Sequence, residues 1–331
     1  MNLLNEKVQI LPPYHKDVDM SGVKNKNAVT QLCFTWYNAY DNKSQSERIR
    51  NFTGRFDMNC CLLNLAILKG NVAGSIYAIN AQTASTEEAN SEMSLLALKH
   101  FSSAASILNY LIEKNGFTAQ VPGLDTSSLT DDLKRPYLEA LKYLYLAQGQ
   151  EVLLKSPKAT KMSSSIQAGL CQQASVMFLE AKNHFDSPEI ANKIKPWDWQ
   201  IKNVLQAKSE LYAGLAHYHQ AIIETDSSLY GKTHGLAIKR LEISKSHLKL
   251  AKSFANKVKQ FSDLETIIEH FMSKIGENLK VYIKDNDFIF QNPIPNEVTG
   301  IVGKQMVRVD EGFDENSRVS AEEVKDIVAY L

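Results

Sequence analysis

Residues 92–113 read EMSLLALKHFSSAASILNYLIE, and this stretch shows most clearly the pattern that decides the fold. Its apolar residues recur every three or four positions, which is the spacing that places side chains on one face of an α-helix. Neither Gly nor Pro interrupts the stretch, and the 331-residue chain holds only 15 Gly and 9 Pro. The pattern predicts a long helix with one face turned to a core. That face consists of Leu95, Leu98, Phe101, Ala105, Leu108 and Leu111.

The same spacing predicts five more long helices further along the chain. The breaker Ser156-Pro157 separates the first two of them, and Pro196-Trp197 precedes the third. Long helices joined by short connections pack most simply as antiparallel neighbours. We therefore predict a mainly α fold, a curved solenoid of tetratricopeptide-like helix pairs. The five helices run approximately from Asp131 to Leu154, Ser163 to Phe185, Trp199 to Glu224, Thr233 to Gln260 and Asp263 to Val281.

Three shorter segments depart from this pattern. Residues 29–36 and 287–290 hold β-branched and aromatic residues, which favours a small peripheral β-sheet beside the helices. Near the end of the chain, Ser320 opens a capping box, and the apolar residues that follow it predict a short amphipathic helix. A helix of about 12 residues needs a surface to be stable, so we expect it to dock on the body of the protein or to bind a partner.

Composition excludes several classes of protein. The 44% of hydrophobic residues suits a well-packed core, and 37 basic residues balance 37 acidic ones, so no net field attracts nucleic acid. The cysteines lack disulfide or zinc spacing and are read as reduced, mostly packed thiols. We find no secretory signal, and the longest apolar runs are shorter than the roughly 18 to 20 residues of a membrane span. The four cysteines are Cys33, Cys60, Cys61 and Cys171.

No recognised catalytic motif is complete. The segment Gly300 to Lys304 hints at a phosphate loop, but the spacing of its glycines is too short and Gln305 stands where Ser or Thr would hold magnesium. His217 and His219 lie on different sides of a helix, which fits packing better than a shared metal. Glu151 follows two glutamines, a cluster better explained by a buried polar network than by acid–base catalysis. We expect no enzyme activity, cofactor, metal or small-molecule substrate.

One local charge feature stands out in the predicted helix from Thr233 to Gln260. Residues 232–259 hold eight basic residues and the single acid Glu242. Part of this set shares one helical face, which could contact anionic lipid at about 1 kcal/mol per charge. The alternative is an ordinary solvated helix face, which the neutral net charge favours. The residues of the basic face are Lys245, Lys249, Lys252 and Lys259.

Several segments together resemble the Bro domain, the module at the front of Alix-type endosomal adaptors. Residues 34–41 (FTWYNAYD) resemble that family's aromatic strand, and residues 146–152 (LAQGQEV) resemble its glutamine-rich helix segment. Residues 218–220 (YHQ), 235–241 (GLAIKRL) and 284–290 (KDNDFIF) match further segments in the same order. The resemblance covers approximately Gln31 to Val309. It implies a helical solenoid with a small sheet, in agreement with the periodicity.

The resemblance also implies a function, which is to bind the C-terminal amphipathic helix of an ESCRT-III subunit on the concave face of the solenoid. Ile166 and Leu170 are spaced i, i+4, as one flank of a groove for a helix must be. The same spacing is usual in buried helices, and it is the resemblance that favours a binding site. Anionic membrane binding through the basic face is the alternative function, and an unrecognised hydrolase is a third. The implied helix-binding residues are Leu153, Ile166, Leu170, Met306 and Val307.

The chain also departs from the family pattern. Ser156 and Gly169 stand where family members have lysines, which predicts a less basic rim around the patch. Phe290 stands where some relatives have a phosphorylatable tyrosine. We expect an N-terminal extension at 1–27, the helical domain at 28–309, and a linker with the short helix at 310–331. The expected location is the cytoplasm, with peripheral recruitment to endosomal membranes.

Overall fold

The computed structural model describes residues 34–37, 48–51, 54–83, 86–114, 117, 129–190, 197–226, 233–258 and 262–313. Two strands, β1 (Phe34–Tyr37) and β2 (Arg48–Asn51), precede the helices. The helices are α1 (Gly54–Thr83), α2 (Glu87–Glu113), α3 (Arg135–Lys155), α4 (Pro157–Thr160), α5 (Ser164–Phe185), α6 (Trp197–Asp226), α7 (His234–Ala255) and α8 (Ser262–Asp285). A 3-10 turn (Asp131–Leu133) precedes α3, and a π-helical turn (Asn286–Phe290) follows α8.

Each long helix packs against the next long helix along the chain, from α1 against α2 to α7 against α8. The predicted helical solenoid is confirmed, because such neighbour-to-neighbour packing is the defining property of that architecture. All six predicted helices begin and end within five residues of the observed bounds. Thr86 caps α2, since its side chain accepts a hydrogen bond from the Ala89 amide at 3.1 Å.

The 30-residue helix α1 was not predicted. Its apolar residues are distributed around the helix instead of forming one stripe, so periodicity gives no signal there. Leu63, Ala66 and Ile76 are nevertheless fully buried in the core that α1 shares with α2. By length and mean hydropathy, α1 and α2 could each cross a membrane, contrary to our reading of the sequence. Core helices of water-soluble proteins pass the same test, so we take no membrane span from it.

The expectation for residues 287–290 was wrong. Strand β1 pairs antiparallel with β2, and Asp287–Phe290 forms a π-helical turn away from them. The side chain of Asn286 closes this turn, because it donates to the Asn292 carbonyl and accepts from the Asn292 amide, both at 3.0 Å. Gln291 adopts a left-handed conformation (φ 52°) that redirects the chain after the helix.

Residues 291–313, which we call the strap, have no regular secondary structure and return across the helices. Arg240 of α7 donates to the Thr299 carbonyl at 2.7 Å, near the start of the strap. Ser102 of α2 donates to the Arg308 carbonyl, and Ser106 accepts from the Asp310 amide at 2.7 Å. The strap therefore ties α7 to α2, helices that lie far apart in the order of the solenoid. Its last described residue, Phe313, packs edge-on against Tyr110 of α2.

Among the described cysteines, Cys60 and Cys171 are buried free thiols and Cys61 is exposed. Burial raises the pKa of the Cys171 thiol to about 12, so this side chain stays neutral. The prediction of reduced thiols agrees with these three residues, although Cys61 is not packed. Cys33 lies outside the described residues.

Candidate docking surface

The connection between α3 and α5 fixes one edge of the site. Helix α3 ends at Lys155. The hydroxyl of the next residue, Ser156, donates to the Leu153 carbonyl at 2.7 Å, and Pro157 prevents the helix from continuing. Ser163 caps the start of α5 by accepting from the Ile166 amide. The side chain of Gln167 donates to the carbonyls of residues 159 and 162, which holds the turn against α5. Ile166 therefore has a defined position on the first turn of α5.

The side chain of Gln150 connects α3 to α5 and to the strap through hydrogen bonds. This side chain is fully buried on α3, and its Nε2 donates to the Lys304 carbonyl at 2.8 Å and the Leu170 carbonyl at 3.3 Å. Its Oε1 accepts from the amides of Met306 and Val307, each at 3.4 Å. One side chain thus satisfies backbone groups of α5 and of the strap, which a buried amide requires. The cluster of polar residues predicted around Glu151 is a structural network, as expected.

Two helix glycines allow the strap to approach closely. A Cβ at Gly149 would lie 2.9 Å from Val307 Cγ1, and one at Gly169 would lie 3.0 Å from Lys304 Cβ. The Lys304 amide donates to the Gly169 carbonyl at 2.7 Å, so the strap runs directly on α5. A glycine inside a helix destabilises it by roughly 0.5–1 kcal/mol relative to alanine, and contact with the strap accounts for both glycines.

All five residues predicted to bind a helix lie around Gln150. Leu153 is one turn along α3, Leu170 and Val307 supply hydrogen-bonding partners, Met306 adjoins Val307, and Ile166 is one turn before Leu170. However, the strap covers part of the set. Leu170 is fully buried, and Leu153 and Val307 keep only 8% and 6% of their surface exposed.

The expectation that Leu170 points to solvent was therefore wrong. The i, i+4 pair does not act as two exposed anchors, because the second member is packed beneath the strap where α3 meets α5. Ile166 is partly exposed. Leu153, Leu170 and Val307 support the surface from below and are not available for contact.

The accessible apolar residues are Ile166 of α5 and Met306 and Val302 of the strap, and we call these three the docking surface. Met306 is 48% exposed and Val302 is 86% exposed. Val302 was not predicted, since a single valine in an aperiodic segment gives no signal. Its position follows from the close approach of its carbonyl oxygen to Gly169, 3.2 Å from where a Cβ would lie.

Basic residues predominate in the two segments that carry the docking surface. The segments 152–179 and 298–309 contain five basic residues and no acidic one. Lys158, Lys304 and Arg308 are exposed, and Lys161 pairs with Glu87 of α2. Because Lys304 lies on Gly169, the strap supplies a cation beside one of the two positions where the family has lysine. The expectation of a rim less basic than in other family members stays a prediction.

An ion-paired network lies beneath the surface. Burial alone would raise the pKa of Glu151, but Lys208 of α6 and Lys155 outweigh burial and lower the pKa to about 2. The carboxylate remains charged at any physiological pH. It joins α3 to α6 and keeps the end of α3, which carries Leu153, in place.

The basic face predicted on α7 is only partly free. Lys252 pairs with Glu269 of α8 at 2.6 Å, Lys245 is partly buried and Lys249 is exposed. Lys259 lies outside the described residues. The pairing removes one of the charges that an anionic membrane would contact, so this surface supports lipid binding less than its sequence suggested.

Histidines 217 and 219 do not share a site. His217 stacks on His247 at 5.8 Å between ring centroids, whereas His219 packs edge-on against Tyr218. Burial, assisted by nearby cations, lowers the pKa of each to about 4, so both are neutral at pH 7. Within the described ranges, no group of three or more His, Cys, Asp or Glu side chains is placed to hold a metal ion.

The family of this chain follows from a match that extends over nearly all of its residues. A model of the BRO1-like domain matches residues 4–330, which is nearly the whole chain. The chain belongs to the BRO1-like domain family. The docking surface and the strap are thus features of a BRO1-like domain, and the family resemblance seen in the sequence is confirmed.

Curated relatives of this BRO1-like domain are much longer proteins. The vacuolar protein-sorting protein bro1 of Aspergillus fumigatus is 28% identical over 268 residues, which cover 81% of this chain and 23% of the relative. The human programmed cell death 6-interacting protein is 26% identical over 271 residues, covering 80% of this chain and 27% of the relative. The chain thus spans about a quarter of the length of these relatives.

Two solved structures of BRO1 domains have the same fold as this chain. The structure described as the ALIX BRO1 CHMP4C complex has a TM-score of 0.68 and 24% identity, covering 88% of this chain and 74% of that chain. The one described as a structure basis for endosomal targeting by the Bro1 domain has a TM-score of 0.63 and 21% identity, covering 84% and 68%.

Proposed function

We propose that this BRO1-like domain is a non-enzymatic adaptor that binds the acidic, amphipathic C-terminal helix of an ESCRT-III subunit at the docking surface. The observation that carries the proposal is an accessible apolar set, Ile166, Val302 and Met306, on two segments (152–179 and 298–309) that hold five basic residues and no acidic one. A solved BRO1 domain of the same fold is in complex with CHMP4C, which supports a partner of this kind.

The arrangement suits a helix in a groove. A few apolar anchors carry most of the affinity of such a contact, and the charged rim sets orientation and association rate. Ile166 and Met306 come from different parts of the chain, and Gln150 holds both segments together. A visiting helix with an apolar stripe would contact both anchors, while its acidic residues face Lys304 and Arg308. Micromolar affinity, on the order of −8 kcal/mol, is expected for a surface of this size.

The same proposal assigns a cellular role. The fungal relatives are named vacuolar protein-sorting proteins, and one structural neighbour is described by endosomal targeting. We assign this domain to endosomal or vacuolar sorting, recruited from the cytoplasm to the surface of endosomes by its ESCRT-III partner. Recruitment requires no turnover, because binding alone brings the partner's membrane-remodelling machinery and the adaptor together.

Titration of a fluorescent peptide with the CHMP4C C-terminal sequence tests the proposal. Ile166→Asp places a carboxylate among cations and removes an anchor, and we expect it to weaken binding at least tenfold with little change in melting temperature. Leu179→Asp is the matched control, since Leu179 is an exposed aliphatic residue on the opposite side of α5. Equal affinities for the wild type and Ile166→Asp would exclude this surface. A peptide that binds neither chain would refute the adaptor role assigned here.

A further inference from the structure

The chain carries a second segment whose chemistry matches the docking surface. Residues 320–331 read SAEEVKDIVAYL, and the capping box at Ser320 predicts a short helix. Val324, Ile327, Val328 and Leu331 fall at i, i+3, i+4 and i+7, and so form one apolar stripe. The segment holds three acidic residues and one basic residue. It therefore has the apolar stripe and negative charge that the basic docking surface favours. These residues lie outside the described part of the chain.

We propose that residues 320–331 occupy the docking surface of the same molecule and compete with the partner helix. The inference rests on the proposed function, because it assigns an internal competitor to the same site. The apolar stripe would contact Ile166, Val302 and Met306, and the acidic residues would face Lys304 and Arg308. A helix of about 12 residues is not stable alone in water, and the docking surface supplies the apolar contact that it needs.

Residues 314–319, which connect the strap to residues 320–331, are long enough to let that segment turn back along the strap. Phe313 is anchored on Tyr110, and Ser102 and Ser106, two turns and one turn earlier on α2, hold Arg308 and Asp310 respectively. Phe313 thus lies roughly 12 Å along α2 from the level of Arg308, taking 1.5 Å per residue. The six residues 314–319 can span about 20 Å, and a 12-residue helix is about 18 Å long. A chain that turns back after Phe313 can therefore lay the helix alongside the strap as far as Met306.

Because residues 314–319 link the segment to the strap, even a weak contact between the segment and the docking surface is well populated. A short flexible linker gives an effective concentration of about 1 mM, so an intrinsic dissociation constant near 0.1 mM leaves the surface occupied about nine-tenths of the time. A competing peptide then binds about tenfold more weakly than it would to the free surface. Full-length partners present in excess, or avidity on a membrane, would displace the segment.

The test uses the full chain and two substitutions in the segment. Ile327→Asp places a charge in the apolar stripe, and Ala329→Asp places the same charge on the opposite side of the predicted helix. With the labelled CHMP4C peptide, we expect about tenfold tighter binding to Ile327→Asp and unchanged binding to Ala329→Asp. Unchanged affinity in Ile327→Asp, or an equal gain in both variants, would overturn the inference while leaving the proposed function intact.

A readout that needs no peptide separates the two proposals. In protein with 13C-methyl methionine, Met306→Leu identifies the Met306 methyl signal, which we expect to shift in Ile327→Asp and not in Ala329→Asp. If the peptide binds none of the chains, the proposed function fails and the Met306 signal alone decides this inference. A Met306 signal that is the same in all chains would overturn it. So would a shift that depends on protein concentration, because the helix would then come from a second copy.

Discussion

Gln150→Met is the sharpest test of how the strap builds the docking surface. The substitution keeps the approximate volume of the side chain and removes its amide. It deletes the bonds to the Lys304 carbonyl at 2.8 Å and the Leu170 carbonyl at 3.3 Å, with two longer contacts to strap amides. The bond to Leu170 joins α3 to α5 and does not depend on the strap. The Lys304 bond, at about 1 kcal/mol, and the two longer amide contacts, which are worth less, should therefore make closing the strap about 1–2 kcal/mol less favourable.

Hydrogen exchange gives the direct assay for this change. Local opening of the strap exposes the amides of Met306 and Val307, so their exchange should accelerate about 5- to 30-fold, at 1.4 kcal/mol per factor of ten. Peptides from the centres of α6 and α7 should exchange as in the wild type. Gln148→Met, two positions away on the same helix, is the control. Exchange of the strap that is unchanged in Gln150→Met, or equally fast in both variants, would refute the role given to Gln150.

Three further predictions concern buried groups. Leu170→Asp should lower the free energy of unfolding by several kcal/mol in urea denaturation, because it buries an unpaired carboxylate; a loss below about 1 kcal/mol would show that the site is open. Glu151→Gln should destabilise the protein by about 2–4 kcal/mol at pH 7, because Lys208 loses its carboxylate partner. The native pKa of Glu151, about 2, is below its ordinary value of 4.5, so its contribution to stability is present above pH 4.5 and is lost as pH falls toward 2. The free energy of unfolding of Glu151→Gln should therefore depend less on pH in this range than that of the wild type. An equal pH dependence in both chains would contradict the pairing. His219 has a native pKa of about 4 and an ordinary pKa of 6.5, so lowering the pH from 6.5 to 4 should destabilise the wild type by up to about 3 kcal/mol. His219→Gln should remove this part of the pH dependence of unfolding. Parallel pH profiles for the two chains would contradict the burial of a neutral His219.

Helix content and order were predictable because local signals agree with the tertiary structure. Pro157 and the cap at Ser163 mark the boundary between α3 and α5 in the sequence as clearly as in the structure. Helix α1 was missed for a physical reason, since a helix with apolar residues on all sides has no stripe to detect. Residues 287–290 have β-forming side chains, but the hydrogen bonds of Asn286 hold them in a turn.

The sequence predicted which residues would gather at the candidate site, but it did not predict which of them are exposed. The five residues that the family resemblance implied do gather around Gln150. Their exposure could not be predicted, because it depends on the strap, a segment without periodicity. The strap is held largely through its backbone groups, and Gln150 pairs with carbonyls and amides more than 150 residues away. Such pairing leaves no pattern of side chains along the sequence, which is why Leu170 seemed free and Val302 was missed.

Contact between the docking surface and a partner helix can be measured most directly with a nitroxide-labelled CHMP4C C-terminal peptide and 13C-methyl methionine protein. Met306 is part of the docking surface, and Met272 on α8 is distant in the order of helices and serves as an internal reference. We predict that the peptide broadens the Met306 methyl signal, leaves the Met272 signal sharp, and loses this effect in Ile166→Asp. Saturable binding that leaves the Met306 signal sharp would contradict the central claim.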